Sequence, residues 1–302
     1  MTLAMALIVD HATIAARQLE PLQQAFAALG LPSTYGGIHS NGGTHMALLS
    51  FADGSYLELI STLNVGQTSP WWHAHIAGDG GPCAWAARCD DVAAEAARLA
   101  RLDVAVRGPI AMQRVRPDGK QIAWELAYLG EGEPGCVLPF LIQDHTPRGW
   151  RVPTDTAVAT DLLTGLAGVV VGVPDLEATV QLFQRAYDWP RPERQDDPAF
   201  GARLTRFPGT PLTLAAPLTE SGWLAQRLAR FGASPCAFLV GAFDFEVARE
   251  RFNVAQAGRW FERPLGWFDP SVLAGIRLGL VGTCPGTTDT RMGTTCYESK
   301  ST

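Results

Sequence analysis

No Cys-x-x-Cys pair occurs, and six cysteines (Cys83, Cys89, Cys136, Cys236, Cys284 and Cys296) are too sparse for a disulfide framework in 302 residues. The expectation is a cytoplasmic protein with reduced thiols, in which Cys83, Cys136 and Cys236 are small buried hydrophobes in apolar strand-like runs. Runs of five or more basic residues are missing too, and 24 Lys and Arg against 30 Asp and Glu leave a net charge of -6. That balance argues against DNA, RNA or an anionic membrane as partners. No stretch approaches the roughly 18 apolar residues of a membrane span. Met1 to Val9 is apolar but carries no basic leader, so it reads as a first strand rather than a signal peptide.

Motifs for nucleophilic and nucleotide chemistry are also missing. Ser50, Ser55 and Ser61 lie in no Gly-x-Ser-x-Gly elbow, and no Gly-x-x-x-x-Gly-Lys-Ser/Thr loop occurs. The one Gly-x-Gly-x-x-Gly, Gly130 to Gly135, leads into a strand, and its Glu131 and Glu133 would repel a pyrophosphate. It reads as a hairpin loop, and no nucleotide cofactor is expected. No histidine follows residue 145: His11, His39, His45, His73, His75 and His145 are all six. Histidine-dependent chemistry therefore belongs to the N-terminal half.

What is present is a large apolar fraction, 47% of 302 residues, enough for two domains of ordinary size. Asp10 to Ala15 and Ser55 to Ile60 each read as a short strand, the second entered through an Asp53-Gly54 turn. Period-two alternation puts Tyr56, Glu58 and Ile60 on one face, with Leu57 and Leu59 on the other. A carboxylate among large side chains needs a partner, and His11 is the candidate.

The chain repeats itself. Strand 10–15 is followed by an amphipathic helix over 18–30, then strands at 35–39, 45–51 and 55–61. The same order returns as strand 83–88, helix 91–102 and strands 110–115, 121–129 and 135–143. A third copy runs through strand 166–171, helix 176–186 and strands 202–207 and 210–215. A fourth comprises strand 236–241, helix 245–253 and strands near 258–261 and 275–281. Ala12 to Glu20 aligns without gaps on Val169 to Glu177, and Phe26 then falls on Phe183. The expected fold class is α+β, four βαβββ modules paired so that no module leaves an open edge. Domains are expected at 1–150 and 160–283, joined by a Pro-, Thr- and Arg-rich linker over 146–160 and followed by a disordered tail over 284–302.

Paired βαβββ modules with His in the first strand and Glu in the fourth resemble the vicinal oxygen chelate superfamily of glyoxalase I, extradiol dioxygenases and bleomycin-resistance proteins. Asp10-His11, Gly37-Ile38-His39-Ser40, Gly43-Thr44-His45, Tyr56 to Ile60, Arg116 to Gly119, Trp124 and Leu138-Pro139-Phe140 resemble its glyoxalase-like domain branch. The resemblance implies an enzyme of lyase, isomerase or dioxygenase type acting on a small oxygenated or carboxylated molecule, or alternatively a non-catalytic protein that sequesters one. It implies His11 and Glu58 as metal ligands or catalytic acid and base, with His39, Thr44, His45, Arg116, Trp124 and Phe140 at the substrate. The C-terminal domain, which has no histidine, reads as a structural partner, a second binding cup or the surface of a homodimer. The superfamily's divalent metal takes two ligands from each paired module, whereas the repeat places Ala84 opposite His11 and Phe140 opposite Glu58.

Two readings of that half-site stand side by side. His39 or His45 completes a His/His/Glu metal set, or His11 and Glu58 form a hydrogen-bonded pair without metal that transfers protons. Similar pairs of readings attach to the other candidates. Trp71 to His75 is a short plug between modules or a ligand pair two apart. Arg116 is a carboxylate clamp or a solvated turn arginine, and Trp124 and Phe140 are cup wall or plain core.

Overall fold

The computed structural model describes residues 7–116, 118–152 and 162–282. The first half contains β1 (Val9–Ala15), α1 (Leu19–Ala28), β2 (Thr34–Ile38), β3 (Thr44–Ser50), β4 (Tyr56–Thr62), α2 (His73–Ala77), β5 (Gly81–Arg88), α3 (Val92–Ala100), β6 (Val106–Val115), β7 (Gln121–Leu129), β8 (Phe140–Asp144) and α4 (Arg148–Arg151). The second contains β9 (Leu163–Gly172), α5 (Leu176–Tyr187), β10 (Glu193–Asp197), β11 (Ala202–Arg206), β12 (Leu212–Pro217), α6 (Trp223–Phe231), β13 (Ser234–Ala242), α7 (Phe245–Arg251), β14 (Ala255–Trp260), β15 (Arg263–Trp267) and β16 (Leu278–Val281). Both halves form an eight-stranded mixed sheet, ordered β2-β3-β4-β1-β5-β8-β7-β6 and β10-β11-β12-β9-β13-β16-β15-β14. The four-module α+β architecture expected from the repeat is therefore the observed one.

Local chemistry starts three of the four repeat helices in the same way. Asp91, Asp175 and Asp244 each accept a hydrogen bond from the backbone N–H three residues on, satisfying an orphan donor of α3, α5 and α7. Phe26 in α1 and Phe183 in α5, matched by the repeat, are both fully buried. Strand β10 was not expected. Its sequence, Glu-Arg-Gln-Asp-Asp, has no apolar alternation, and it is held by its ladder with β11 at a sheet edge, where charge also discourages strand addition. Helix α6 and strand β15 were likewise absent from the sequence reading. Strand β8 starts at Phe140 rather than Gly135, because Gly135 lies flat on β5, where a Cβ would sit 2.7 Å from the Trp85 carbonyl oxygen.

Strand register defines the pseudo-twofold. His11 pairs with Ala86 and Thr13 with Ala84 across the antiparallel β1–β5 seam, so Ala84 is the counterpart of His11 and Ala86 that of Thr13. Thr13 sits beside Glu58 and Ala86 beside Phe140, so Phe140 is the counterpart of Glu58. In the second sheet the same positions are Gly168, Thr213, Ala237 and Gly279. There the cup is packed solid: Phe200, Leu239, Trp260 and Trp267 fill it, and Trp260 Nε1 donates to Thr213 Oγ1 at 3.2 Å. A Cβ on Gly279 would lie 2.7 Å from Leu239, which shows how tightly that space is used.

A single hydrophobic core joins the halves, running from Ile14, Leu57 and Trp85 on one sheet to Val169, Phe238 and Leu278 on the other. Most of the expected linker, residues 153–161, and the tail from 283 lie outside the described residues. No helix among the described residues is long and apolar enough to cross a membrane.

Candidate functional site

The concave face of the first sheet forms a cup of about 850 Å³, including its open mouth. Alternation aims His11, Tyr56, Glu58, Met46, Leu48, Trp124, Leu126, Tyr128, Met112, Arg114, Phe140 and Ile142 into it, while Ala12, Ile14, Leu57 and Leu59 turn to the core behind. Trp71 and Trp72 line it from the β4–β5 connection. Helix α2 follows them, so Trp71 to His75 is a plug. Trp72 Nε1 donates to the Pro134 carbonyl at 2.9 Å in the Gly130 to Gly135 loop.

His11 is oriented by its neighbour in sequence. Two consecutive strand residues ordinarily point apart, but β1 shifts register between Val9 and His11 where it pairs with β5. This irregularity re-aims Asp10, and Asp10 Oδ1 accepts a hydrogen bond from His11 Nδ1 at 2.7 Å. The imidazole stacks on Tyr56 with ring centroids 4.6 Å apart and meets the edge of Phe140 at 5.2 Å. Nε2 is left without a hydrogen-bond partner among the described residues. Asp10 is fully buried, yet its carboxyl lies well below the usual carboxylate range. Burial opposes that, and Arg151, His11 and Arg148 outweigh it. Arg151 contacts both Asp10 oxygens at 3.2 and 3.1 Å and the Tyr56 hydroxyl at 3.0 Å, and Arg148 donates to Asp10 as well. Both arginines come from α4, inside the stretch read as a linker. Its arginine content was the visible signal, and nothing local indicated that they fold back onto β1.

Glu58 has a different partner from the one expected. Its Oε1 lies 3.2 Å from His39 Nε2, and its Oε2 accepts from Thr13 Oγ1 at 3.1 Å. No hydrogen bond joins Glu58 to His11, so the expected direct pair is replaced by two histidine–carboxylate couples, Asp10–His11 and Glu58–His39. Thr44 Oγ1 lies 2.9 Å from His39 Nδ1 and is itself tied to Asn41, so Thr44 positions His39 and does not line the cup. Burial pushes the Glu58 carboxyl up, but the His39 hydrogen bond and the charges of His39 and His11 outweigh it and bring it down to about 2. Glu58 is therefore ionised at neutral pH.

His45 and Arg116 do not reach the cup. His45 alternates with Met46 on β3, so it faces away and meets Tyr35 edge-on at 5.9 Å. Arg116, in the turn after β6, donates to the Trp150 carbonyl at 3.0 Å and pairs with Asp118 at 3.3 Å. Arg114, two residues earlier, lines the cup together with Arg151. Arg114 spends its two Nη groups on the carbonyls of Gly36 and Arg151, forms no ion pair among the described residues, and leaves Nε unpartnered. Trp124 and Phe140 are cup wall.

A divalent metal does not fit this donor set. The four positions hold His11, Glu58, Ala84 and Phe140, so two of the four carry no donor atom, and the Phe140 ring abuts His11. Among the described residues no three His, Cys, Asp or Glu side chains converge as a metal site requires.

The glyoxalase-like domain family model matches residues 9–187, more than half of the chain, and the protein belongs to that family. Similar solved structures share its fold. A triple mutant of 4-hydroxymandelate synthase from Streptomyces coelicolor is 12% identical, with a TM-score of 0.59 over 93% of this chain and 94% of its own. A hypothetical protein from Staphylococcus aureus is 14% identical, with a TM-score of 0.58 over 92% of this chain and 100% of its own. Methylmalonyl-CoA epimerase from Mycobacterium tuberculosis is 22% identical over 43% of this chain and 95% of its own, with a TM-score of 0.37. At these identities the likeness shows the fold alone. A search of curated proteins finds no match.

Proposed function

We propose that this protein is an acid–base enzyme of isomerase or lyase type that moves a proton on a small carboxylated molecule held in the N-terminal cup. The observation that carries this reading is the Asp10–His11 couple, whose Nε2 is free at a cup lined by aromatic rings. Asp10 holds the imidazole with Nδ1 protonated and stabilises the imidazolium that forms when Nε2 takes a proton from carbon beside a carbonyl. Arg114 supplies the one cup guanidinium without a carboxylate partner and so orients a substrate carboxylate. Glu58, ionised and bonded to His39, forms the second proton-handling couple on β4, the strand beside β1.

Solvent exchange tests this. A panel of small 2-oxo and aryl carboxylates incubated with the protein in deuterium oxide is expected to show carbon-bound exchange by NMR. His11→Gln is expected to slow exchange by at least about a hundredfold while binding the same compound. The second reading, sequestration, rests on the same aromatic wall. Saturable binding of a panel compound with no exchange in the wild type would establish it and remove the catalytic one.

A further inference from the structure

A second cavity lies where the two halves meet, walled by Asp79 to Pro82 before β5, by α6, and by Ala274 to Arg277 before β16. Three arginines face it, Arg227, Arg230 and Arg277, and none forms an ion pair among the described residues. Arg227 is largely buried. It donates through Nη1 to the Gly80 carbonyl at 2.5 Å and through Nη2 to those of Pro82 and Pro235, while its Nε has no partner. Arg277 is half-buried, makes no side-chain hydrogen bond among the described residues, and lies over Trp223 with 4.0 Å to the ring centroid and over Phe200 with 5.5 Å. Arg230 donates to the Gly78 carbonyl at 2.9 Å. The lining carboxylate, Asp79, is already committed to Arg17, through the backbone N–H at 2.7 Å and the guanidinium at 3.6 Å.

Carbonyl dipoles and aromatic faces hold these guanidinium groups in place but leave their charge uncancelled, and desolvation of Arg227 and Arg277 works against that charge. An anion in the cavity supplies what the protein side lacks. We infer that this inter-half cavity is an anion site for a phosphate group, carried free or on a small metabolite, with Arg277 and Arg227 as its principal contacts. Several converging arginines favour a dianion over a single carboxylate, and the guanidinium fork matches phosphate oxygens bidentately. The site is separate from the cup and does not depend on the proposed catalysis. It touches both halves, so occupancy strengthens the seam between them.

Isothermal titration of the full-length protein with inorganic phosphate and with phenyl phosphate, each at about 20 mM and about 200 mM NaCl, tests the site. One saturable site per chain is expected, weaker at higher salt and weaker by at least about tenfold in Arg277→Gln. The tighter ligand of the two identifies whether phosphate is taken free or as an ester. Arg230→Gln, an exposed change that keeps the test independent of folding, is expected to weaken binding by about threefold. Arg114→Gln, in the cup, is expected to leave it unchanged. No saturable heat, undiminished affinity in both Arg277→Gln and Arg230→Gln, or loss in Arg114→Gln overturns the assignment.

Discussion

Asp10 carries more of the site than its position beside His11 would indicate. It is buried with Arg148, Arg151 and Arg88 around it, so removing its charge strands cations that have already lost their water. Asp10→Asn is expected to cost about 3–5 kcal/mol in urea unfolding, well above a surface carboxylate change, and to abolish exchange by disturbing the His11 tautomer. Glu58 makes the complementary prediction in acid. Its carboxyl is held at about 2 against an ordinary 4.5, so the unfolded state binds its proton more readily. The contribution is complete above about pH 4.5 and is lost as pH falls toward about 2, with a magnitude of about 3 kcal/mol. Thermal melts are therefore expected to show wild type and Glu58→Gln converging as the solution is acidified. A gap that stays constant with pH would refute the linkage. Residue identity alone singled out both His11 and Glu58. Their true partners, Asp10 and His39, were misassigned because an irregularity in β1 and the loop before β3 decide which atoms meet.

Alternation within a strand decided most of the remaining residues. His45 and Met46 are neighbours on β3, and only one of them can face the cup; register with β4 selects Met46. Alternation alone would put Arg114 and Arg116 on one face, and what separates them is that β6 ends at Val115, so Arg116 belongs to the turn. Helix α2 behaves as a wedge. His75 stacks on Phe231 at 4.7 Å and lies 3.3 Å from Ser234 Oγ, bridging to the second half. Burial, helped by the nearby Arg227, pushes the His75 imidazole down to about 4 from 6.5. A lowered folded value means that protonation favours the unfolded chain, so this contribution is complete above about pH 6.5 and fades as pH falls toward about 4. His75→Leu is expected to flatten the dependence of melting temperature on pH across that interval. An unchanged slope would show that His75 is not the titrating group. The four repeat helices α1, α3, α5 and α7 and most of the apolar strands were legible from periodicity. Strand β10 was not, because its five polar residues depend on pairing with β11 for their conformation.

At the scale of the molecule, the two sheets put their outer faces into one core and keep their inner faces separate. One inner face is an open cup, and the other is closed by Phe200, Trp260 and Trp267. Because Val169 and Phe238 share a core with Ile14 and Trp85, the halves are expected to unfold together, giving calorimetric and van't Hoff enthalpies that agree within error. Two resolved transitions would show that the halves are energetically independent.

Sequence alone determined the module count, the strand-then-helix opening of each module, and the placement of every histidine in the first half, because repeat spacing and hydrophobic period are local properties. The repeat also set Ala84 and Phe140 opposite His11 and Glu58, and strand register bears that alignment out. Only the tertiary structure decided the rest: that Arg148 and Arg151 return to hold Asp10, that Glu58 meets His39, and that Arg114 rather than Arg116 enters the cup. These contacts join residues 19 to 141 positions apart or turn on which face a strand presents. Such pairings are set by sheet register and by the closing of one core, neither of which leaves a periodic trace in the chain.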